Sequence, residues 1–386
     1  MKNVFHFLFQ RRLNLPTAGS GSSRQAPHSW AKGPPRRGPV RLASRAACVA
    51  LGLALLLALP HQSAAQKAKA TKAAKPAPKP LFSDPIYDGA ADPALIWNKQ
   101  AKKWWMFYTN RRATDTTAHG VTWVHGTRIG IAESGDGGTT WTYRDTANIN
   151  FRPDRGYTHW APDIVEDKGR YHMFLTYVPG TFTDWNHPRV IIQLTSTDLR
   201  NWKYVQTLPL ITDKVIDASV LKLPDGTWRL WYNNERDHKS IYYADSPDLL
   251  HWTDHGQALN ERGEGPKVFR WHEQYWMIID QWKGMAVYYS TDLLHWTAQP
   301  ERLLELPGQG QDDQAIGGHC DVVVSNGRAY VFYFTHPGRS KASPAPANSI
   351  AAKRSVIQVA EFEFKDGQLT CDRDKPTYVQ LLKPKK

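Results

Sequence analysis

Asp92-Pro-Ala-Leu-Ile-Trp97, followed after a polar turn by Trp104-Trp-Met-Phe-Tyr108, is the stretch from which the rest of the chain can be read. It pairs an extended segment with a second aromatic-rich one, the pattern of a strand hairpin. The same plan returns at Ala161-Pro-Asp-Ile-Val165 with Tyr171–Tyr177, and at Asp217-Ala-Ser-Val-Leu221 with Trp228–Tyr232. It returns again at Glu264-Gly-Pro-Lys-Val-Phe269 with Tyr275–Ile279, and at His319-Cys-Asp-Val-Val-Val324 with Tyr330–Phe334. The five starts lie 47 to 69 residues apart, a little over the length of a four-stranded propeller blade. No long amphipathic helix interrupts residues 82–386. The expected fold is all-β, a five-bladed β-propeller, in which closure into a ring removes the sheet edges. The first strand of each unit then lines the central channel.

A second motif lies between the hairpins. Ser196-Thr-Asp-Leu-Arg-Asn-Trp202, Ser246-Pro-Asp-Leu-Leu-His-Trp252 and Ser290-Thr-Asp-Leu-Leu-His-Trp296 share S-x-D-L-x-x-W, and Ser134–Trp141 is one residue longer. Ser and Asp bond local backbone amides in turns, so these segments read as outer hairpin turns with the Trp packed over them. Val356–Phe364 alternates like a strand and is expected to complete the last blade, with 338–353 a loop.

Aligning the five first strands places Asp92, Ala161, Asp217, Glu264 and His319 in one column near one channel mouth. Each has a bland reading: a turn residue for Asp92 or Glu264, a loop cap for Asp217, a buried histidine for His319. Together they are harder to dismiss, because gathering three carboxylates costs desolvation and repulsion. An active site gains from that crowding, since it separates acid from base.

Asp92-Pro93, Trp160-Ala-Pro-Asp-Ile164, Ile216-Asp-Ala-Ser-Val220, Glu264-Gly-Pro266 and Gly318-His319 occur in the order seen in glycoside hydrolase family 43, which the chain resembles over about residues 84–336. The resemblance implies a five-bladed propeller and inverting hydrolysis of O-glycosidic bonds, in plant-type polysaccharides or oligosaccharides such as α-L-arabinofuranosides or β-xylosides. It implies Asp92 as general base, Glu264 as general acid, and Asp217 as the ionised neighbour that orients the acid and raises its pKa. It also implies a calcium ion near His319, held through water. Ala94 and Ala218 stand where the family often carries a polar residue and a proline. His159 and Trp160, ahead of the second inner strand, are candidates for sugar contact, and loops 109–128 and 178–189 for the pocket walls. The competing readings are a non-catalytic carbohydrate-binding propeller, a sialidase and a glycoside phosphorylase. A sialidase needs an arginine cluster, and the column holds no arginine; a phosphorylase needs basic phosphate ligands.

The net charge of +13 is misleading about partners. Residues 1–81 hold 14 Lys and Arg and no Asp or Glu, leaving 35 basic and 36 acidic residues beyond. A near-neutral domain gives no basic face for nucleic acid. Residues 1–65 read as an N-terminal extension and signal peptide: basic Arg36–Arg45, apolar Ala46–Pro60, and small Ser63 and Ala65 at a cleavage site. Residues 66–81 read as a Lys/Ala/Pro linker. The chain is expected to be exported, periplasmic or extracellular, with no stable membrane association after cleavage. Cys320 and Cys371 are candidates for a disulfide in that compartment.

Overall fold

The computed structural model describes residues 75–152 and 156–384. The expected signal peptide and most of the expected linker therefore lie outside the described residues. Five sheets follow one another along the chain, each with its strands in sequence order from the inside outward. Blade 1 comprises Ala90–Asn98, Lys103–Asn110, Arg128–Ser134 and Thr142–Thr146. Blade 2 comprises Thr158–Asp167, Arg170–Val178, Val190–Ser196 and Asn201–Thr207, with Asn148–Asn150 added in parallel at its outer edge. Blade 3 runs from Val215–Lys222 to Thr253–Leu259, and blade 4 from Glu264–Trp271 to Thr297–Ala298. Blade 5 holds Gly318–Ser325, Arg328–Thr335, Val356–Lys365 and Gln368–Cys371. The first strands touch in the cyclic order 1-2-3-4-5-1, so the chain is a five-bladed propeller.

Val356–Lys365 is the third strand of blade 5, and Gln368–Cys371 supplies the fourth. Within 338–353, Pro337–Arg339 forms a 3-10 turn and Ile350–Lys353 a single helical turn capped by the Ser349 side chain.

The S-x-D-L-x-x-W turns fold as expected. In the first, the Leu199 amide donates to Ser196 Oγ at 2.9 Å, and the Arg200 and Asn201 amides donate to Asp198 Oδ1 at 2.8 Å. Trp202 Nε1 closes the turn on the Leu199 carbonyl. The indole also reaches across a blade boundary. Trp202 meets Phe107 of blade 1, Trp252 meets Phe174 of blade 2, and Trp296 meets Trp231 of blade 3. Trp141 meets Phe332 of blade 5, so the wedges run through the closure seam.

Both ends of the described chain strap that seam. Phe82 bridges Ile357, the Ala77 amide donates to the Thr377 carbonyl, and the Leu381 amide donates to the Gly137 carbonyl. Trp104 Nε1 donates to the Leu381 carbonyl at 3.2 Å. The last residues of the stretch expected to be linker are thus part of the domain, with Leu81 buried between blades 1 and 5. Cys320 and Cys371 are free thiols associated with one core cluster.

Candidate active site

Every inner strand carries a bulge at the same point. The pairing shifts register at Ala91/Ala94, Trp160/Asp163, Ile216/Ser219, Glu264/Lys267 and Gly318/Cys320. A bulge re-aims side chains and is common beside active sites. Its first residue has positive φ in four blades: Asp92 at 50°, Ala161 at 43°, Asp217 at 60° and Gly265 at 57°. Non-glycine residues held there are strained, by roughly 1–3 kcal/mol each. The strain is restrained by neighbouring blades. The Ala161 amide donates to Thr109 Oγ1, the Asp217 amide to Thr176 Oγ1, and the His319 amide to Asp280 Oδ2.

This register corrects the column. Its members are Asp92, Ala161, Asp217, Gly265 and His319, and Glu264 stands one residue earlier, opposite Asp280. Glycine is required in blade 4, because a Cβ at position 265 would lie 2.6 Å from His319 Cγ at a φ of +57°. Glu264 still reaches the same space, since the bulge turns the chain there. A cleft of about 900 Å³ is lined by Asp92, Asp217, Glu264, His319 and Trp160 together. These five side chains come from five different blades, one from each inner strand. His159 does not join them. It is buried beside Tyr157 and Tyr177 on the other face of its strand, and burial pushes its pKa down to about 3. Alternation sends consecutive side chains to opposite faces, so only Trp160 of that pair meets the cleft.

The two sides of the cleft differ electrostatically. On one side Asp92 is ion-paired with Arg111, whose Nη2 lies 2.9 and 3.2 Å from the two carboxylate oxygens. Arg111 is fixed in turn by His336 Nε2 at 3.1 Å and by the Phe334 ring beneath it at 4.5 Å. His336 is held neutral, its pKa pushed well below the usual imidazole value by burial and then by Arg339 and Arg111. His319 Nδ1 lies 3.8 Å from both Asp92 Oδ1 and Asp217 Oδ2.

On the other side, carboxyl groups crowd. Asp217 is pushed well above the usual carboxylate range by burial, then by Glu264 and Asp92, against one hydrogen bond from the Gly265 amide. Asp280, buried, is pushed up to about 7 by burial and then Glu264. The resemblance implied an ionised Asp217; burial and the neighbouring carboxyls push it in the opposite direction, toward the protonated form. Its buried site offers one backbone donor, and Lys239 opposes the neighbouring carboxylates only weakly, so the balance is toward the neutral form. Glu264 is the open member, with 27% of its side chain exposed against 7% for Asp217. Its oxygens accept from Trp282 Nε1 at 3.1 Å and from Lys239 Nζ at 3.5 Å.

Two residues further along each inner strand, on the same face, lies a second layer. Lys267 Nζ sits 3.0 Å from Asp163 Oδ1 and 2.7 Å from Asp321 Oδ1, and its side chain is largely buried. The remaining oxygens accept the Val220 and Leu95 amides. Lys267 is an internal cation linking blades 2, 4 and 5. It bears on the calcium expected near His319. Asp163 and Asp321 are committed to Lys267, and Asp92 to Arg111. Calcium takes six to eight oxygen ligands, and among the described residues no cluster of three or more His, Cys, Asp or Glu side chains could hold a metal. Among the described residues no set of side chains would ligate calcium directly; an ion near His319 would have to be held through water, as the resemblance implies.

Sequence reasoning missed Arg111, Asp280, Lys239 and the tryptophans 123, 185 and 282 that line the cleft. Trp123 and Trp185 come from the two loops expected to shape the pocket. Asp280 and Arg111 follow second strands, where no column was compared.

A sequence model described as "Probable glycosyl hydrolase domain", of the family-43-related glycosyl hydrolases, matches residues 79–307, more than half of the chain. The chain belongs to glycoside hydrolase family 43. No curated protein matches it in sequence. A thermostable family-43 glycoside hydrolase superposes with a TM-score of 0.56 at 18% identity, over 79% of this chain and 99% of its own. A family-43 β-xylosidase/α-arabinofuranosidase from a compost microbial metagenome, solved with xylotriose in a calcium-free form, has a TM-score of 0.54 at 15% identity, covering 77% and 96%. The GH43_1 enzyme of Xanthomonas citri complexed with xylotriose has a TM-score of 0.56 at 14% identity, covering 80% and 96%. At such identities the structures speak for the fold, and the family match for the activity: this family-43 propeller is a glycosidase.

Proposed function

We propose that the enzyme cleaves O-glycosidic bonds by single displacement with inversion, using Asp92 as general base and Glu264 as general acid. The observation that carries this reading is the asymmetry of the cleft. Asp92 is ion-paired with a fixed guanidinium, which suits a base that must be charged to take a proton from water. Glu264 is open to the cleft and crowded by Asp217 and Asp280, whose upward shifts reflect a group of carboxyls that resists carrying several charges at once, which suits Glu264 as the accessible member that gives a proton to a leaving oxygen. Asp217 and Asp280 are positioning residues, setting the charge that Glu264 meets. Trp160 is the sugar-contacting member of its strand, its indole N–H tied to the Val124 carbonyl at 2.6 Å. The substrate class is a pentose-shaped glycoside of plant-type polysaccharide, a xyloside or arabinofuranoside. The support is the neighbours whose printed names refer to β-xylosidase and α-arabinofuranosidase activity. The basic, apolar and small-residue order of residues 36–65 supports export.

Asp92→Asn and Glu264→Gln should each lower kcat by several orders of magnitude on aryl β-xyloside or α-L-arabinofuranoside while thermal unfolding is unchanged. Full activity in either variant removes its assignment. NMR of the first-formed sugar should show inverted anomeric configuration, as expected for carboxyls about 6.5–9.5 Å apart with water between them. Retained configuration would show that Asp92 does not activate water.

A further inference from the structure

Seven Lys and Arg side chains line the cleft, far more than hydroxyl recognition requires. Three are neutralised in place: Arg111 by Asp92, and Arg189 and Lys239 by Glu235. Arg339 is different. It stands in the 3-10 turn after the second strand of blade 5, and its Nε donates to the Ala352 carbonyl at 2.8 Å. Its guanidinium lies over the Trp123 ring, 5.6 Å from the centroid. Among the described residues its two terminal amino groups meet no carboxylate or other acceptor, and the side chain opens into the cleft.

The side chain is exposed to the cleft, and its surroundings supply it with no negative charge. Arg111 is close enough to repel it, and Asp92, which lines the same cleft, already has both oxygens on Arg111. His336 between them is neutral. Burial and then Arg111 pull the Arg339 pKa down to about 10. Lys341, two residues on, lines the same wall and also forms no ion pair among the described residues. A guanidinium with its stem tied, its face stacked and its amino groups turned into a cleft is a preorganised fork for an oxyanion. The argument against an arginine cluster from the inner-strand column does not reach these residues, because they arrive from the ends of second strands and the loops beyond.

We propose that the sugar lying on the Asp92 side of the cleft carries an oxyanion, a ring carboxylate or a sulfate ester, and that Arg339 receives it. The neutral pentoside proposed above is then replaced by an acidic glycoside with the same ring configuration: a xylo- or arabino-configured pyranose bearing a carboxylate at C5 is a hexuronide. The placement on the glycone side rests on the assignment of Asp92 as base; the anion site itself does not.

Isothermal titration of the full chain with matched sugars tests this without turnover. D-Glucuronate is compared with D-xylose and D-galacturonate with L-arabinose, pairs whose pyranose rings differ by the C5 carboxylate alone. D-Galactose 6-sulfate against D-galactose distinguishes a sulfate ester from a carboxylate. At least one acidic member should bind about tenfold or more tighter than its neutral partner, the size expected of a charge-assisted contact. The preference should shrink with added salt, persist in part in Arg339→Lys, and fall to within about threefold in Arg339→Gln. If Arg339→Gln unfolds, the salt dependence and the Lys variant decide. Equal binding within every pair, or a preference that survives Arg339→Gln in a folded protein, overturns the proposal. So does inorganic phosphate binding that Arg339→Gln abolishes while no acidic sugar is preferred, since the fork then serves a free anion. Hydrolysis of neutral aryl glycosides without acidic preference would leave the glycosidase reading standing and remove only the anion site. Acidic preference with fully active Asp92→Asn would do the reverse.

Discussion

Asp280 shows at the scale of one residue how a site is written into stability. It is buried, accepts the Trp282 and His319 amides, and is pushed up to about 7 by burial and then by Glu264. Unfolded, such a carboxyl ionises near 3.9. Below that value both states hold the proton and the stabilisation from the neutral form is fully present. Between about 4 and 7 only the folded state holds it, so stability falls as pH rises, and above about 7 the contribution is gone. Asp280→Asn cannot titrate. Its stability relative to the native protein should therefore climb by on the order of 2–3 kcal/mol between pH 5 and pH 7.5, measured as the difference in chemical denaturation at each pH. A difference that stays flat would show that Asp280 is ionised in the fold. Asp92 and Lys267 mark the opposite solution, in which a charge inside the ring is matched by a bonded partner.

At the scale of the element, the S-x-D-L-x-x-W turn does two jobs with one motif. Its polar residues satisfy the turn's own amides, and its indole packs on an aromatic of the preceding blade. The second job makes the motif an inter-blade joint. Trp252 is buried against Phe174 at a centroid distance of 5.4 Å. Trp252→Ala should cost about 3–5 kcal/mol, the usual range for emptying a buried aromatic site. Trp252→Phe, which keeps the ring but loses the N–H to Leu249, should cost clearly less. Equal losses in urea denaturation would place the energy in the turn rather than between blades. The motif count was legible in sequence because Ser, Asp and Trp recur at fixed offsets. The partner aromatic was not, since it lies in another repeat at no fixed separation.

At the scale of the whole molecule, the ring is closed by side-chain wedges and by the two ends of the described chain, since every strand of blade 5 comes from one continuous stretch. Leu381 is 4% exposed and packs between blades 1 and 5 although only five residues of the sequence follow it. Leu381→Ala should cost about 2–5 kcal/mol, like a core leucine. A loss under about 0.5 kcal/mol in thermal denaturation, the usual effect of a surface substitution, would show that the strap does not hold the seam. The same closure builds the cleft, because strands far apart in sequence become neighbours around one axis.

What the amino-acid sequence determined by itself was the repeat, and with it the number of blades, the all-β class and the family. Hairpin periodicity and turn chemistry are local, so they survive without coordinates. It also brought Asp92, Asp217, Glu264 and His319 to one mouth, since repeat position maps onto angle around a ring. Only the tertiary structure decided the rest. A one-residue bulge put Gly265, not Glu264, in the column, because His319 leaves no room there for a side chain. Strand alternation sent Trp160 into the cleft and His159 into the core. Burial among other carboxyls pushes Asp217 toward its protonated form. Arg111, Asp280 and Arg339 entered from strand ends and loops, which repeat alignment does not compare. Charge state and facing are set by what surrounds a group in three dimensions, and in a propeller those neighbours come from other blades.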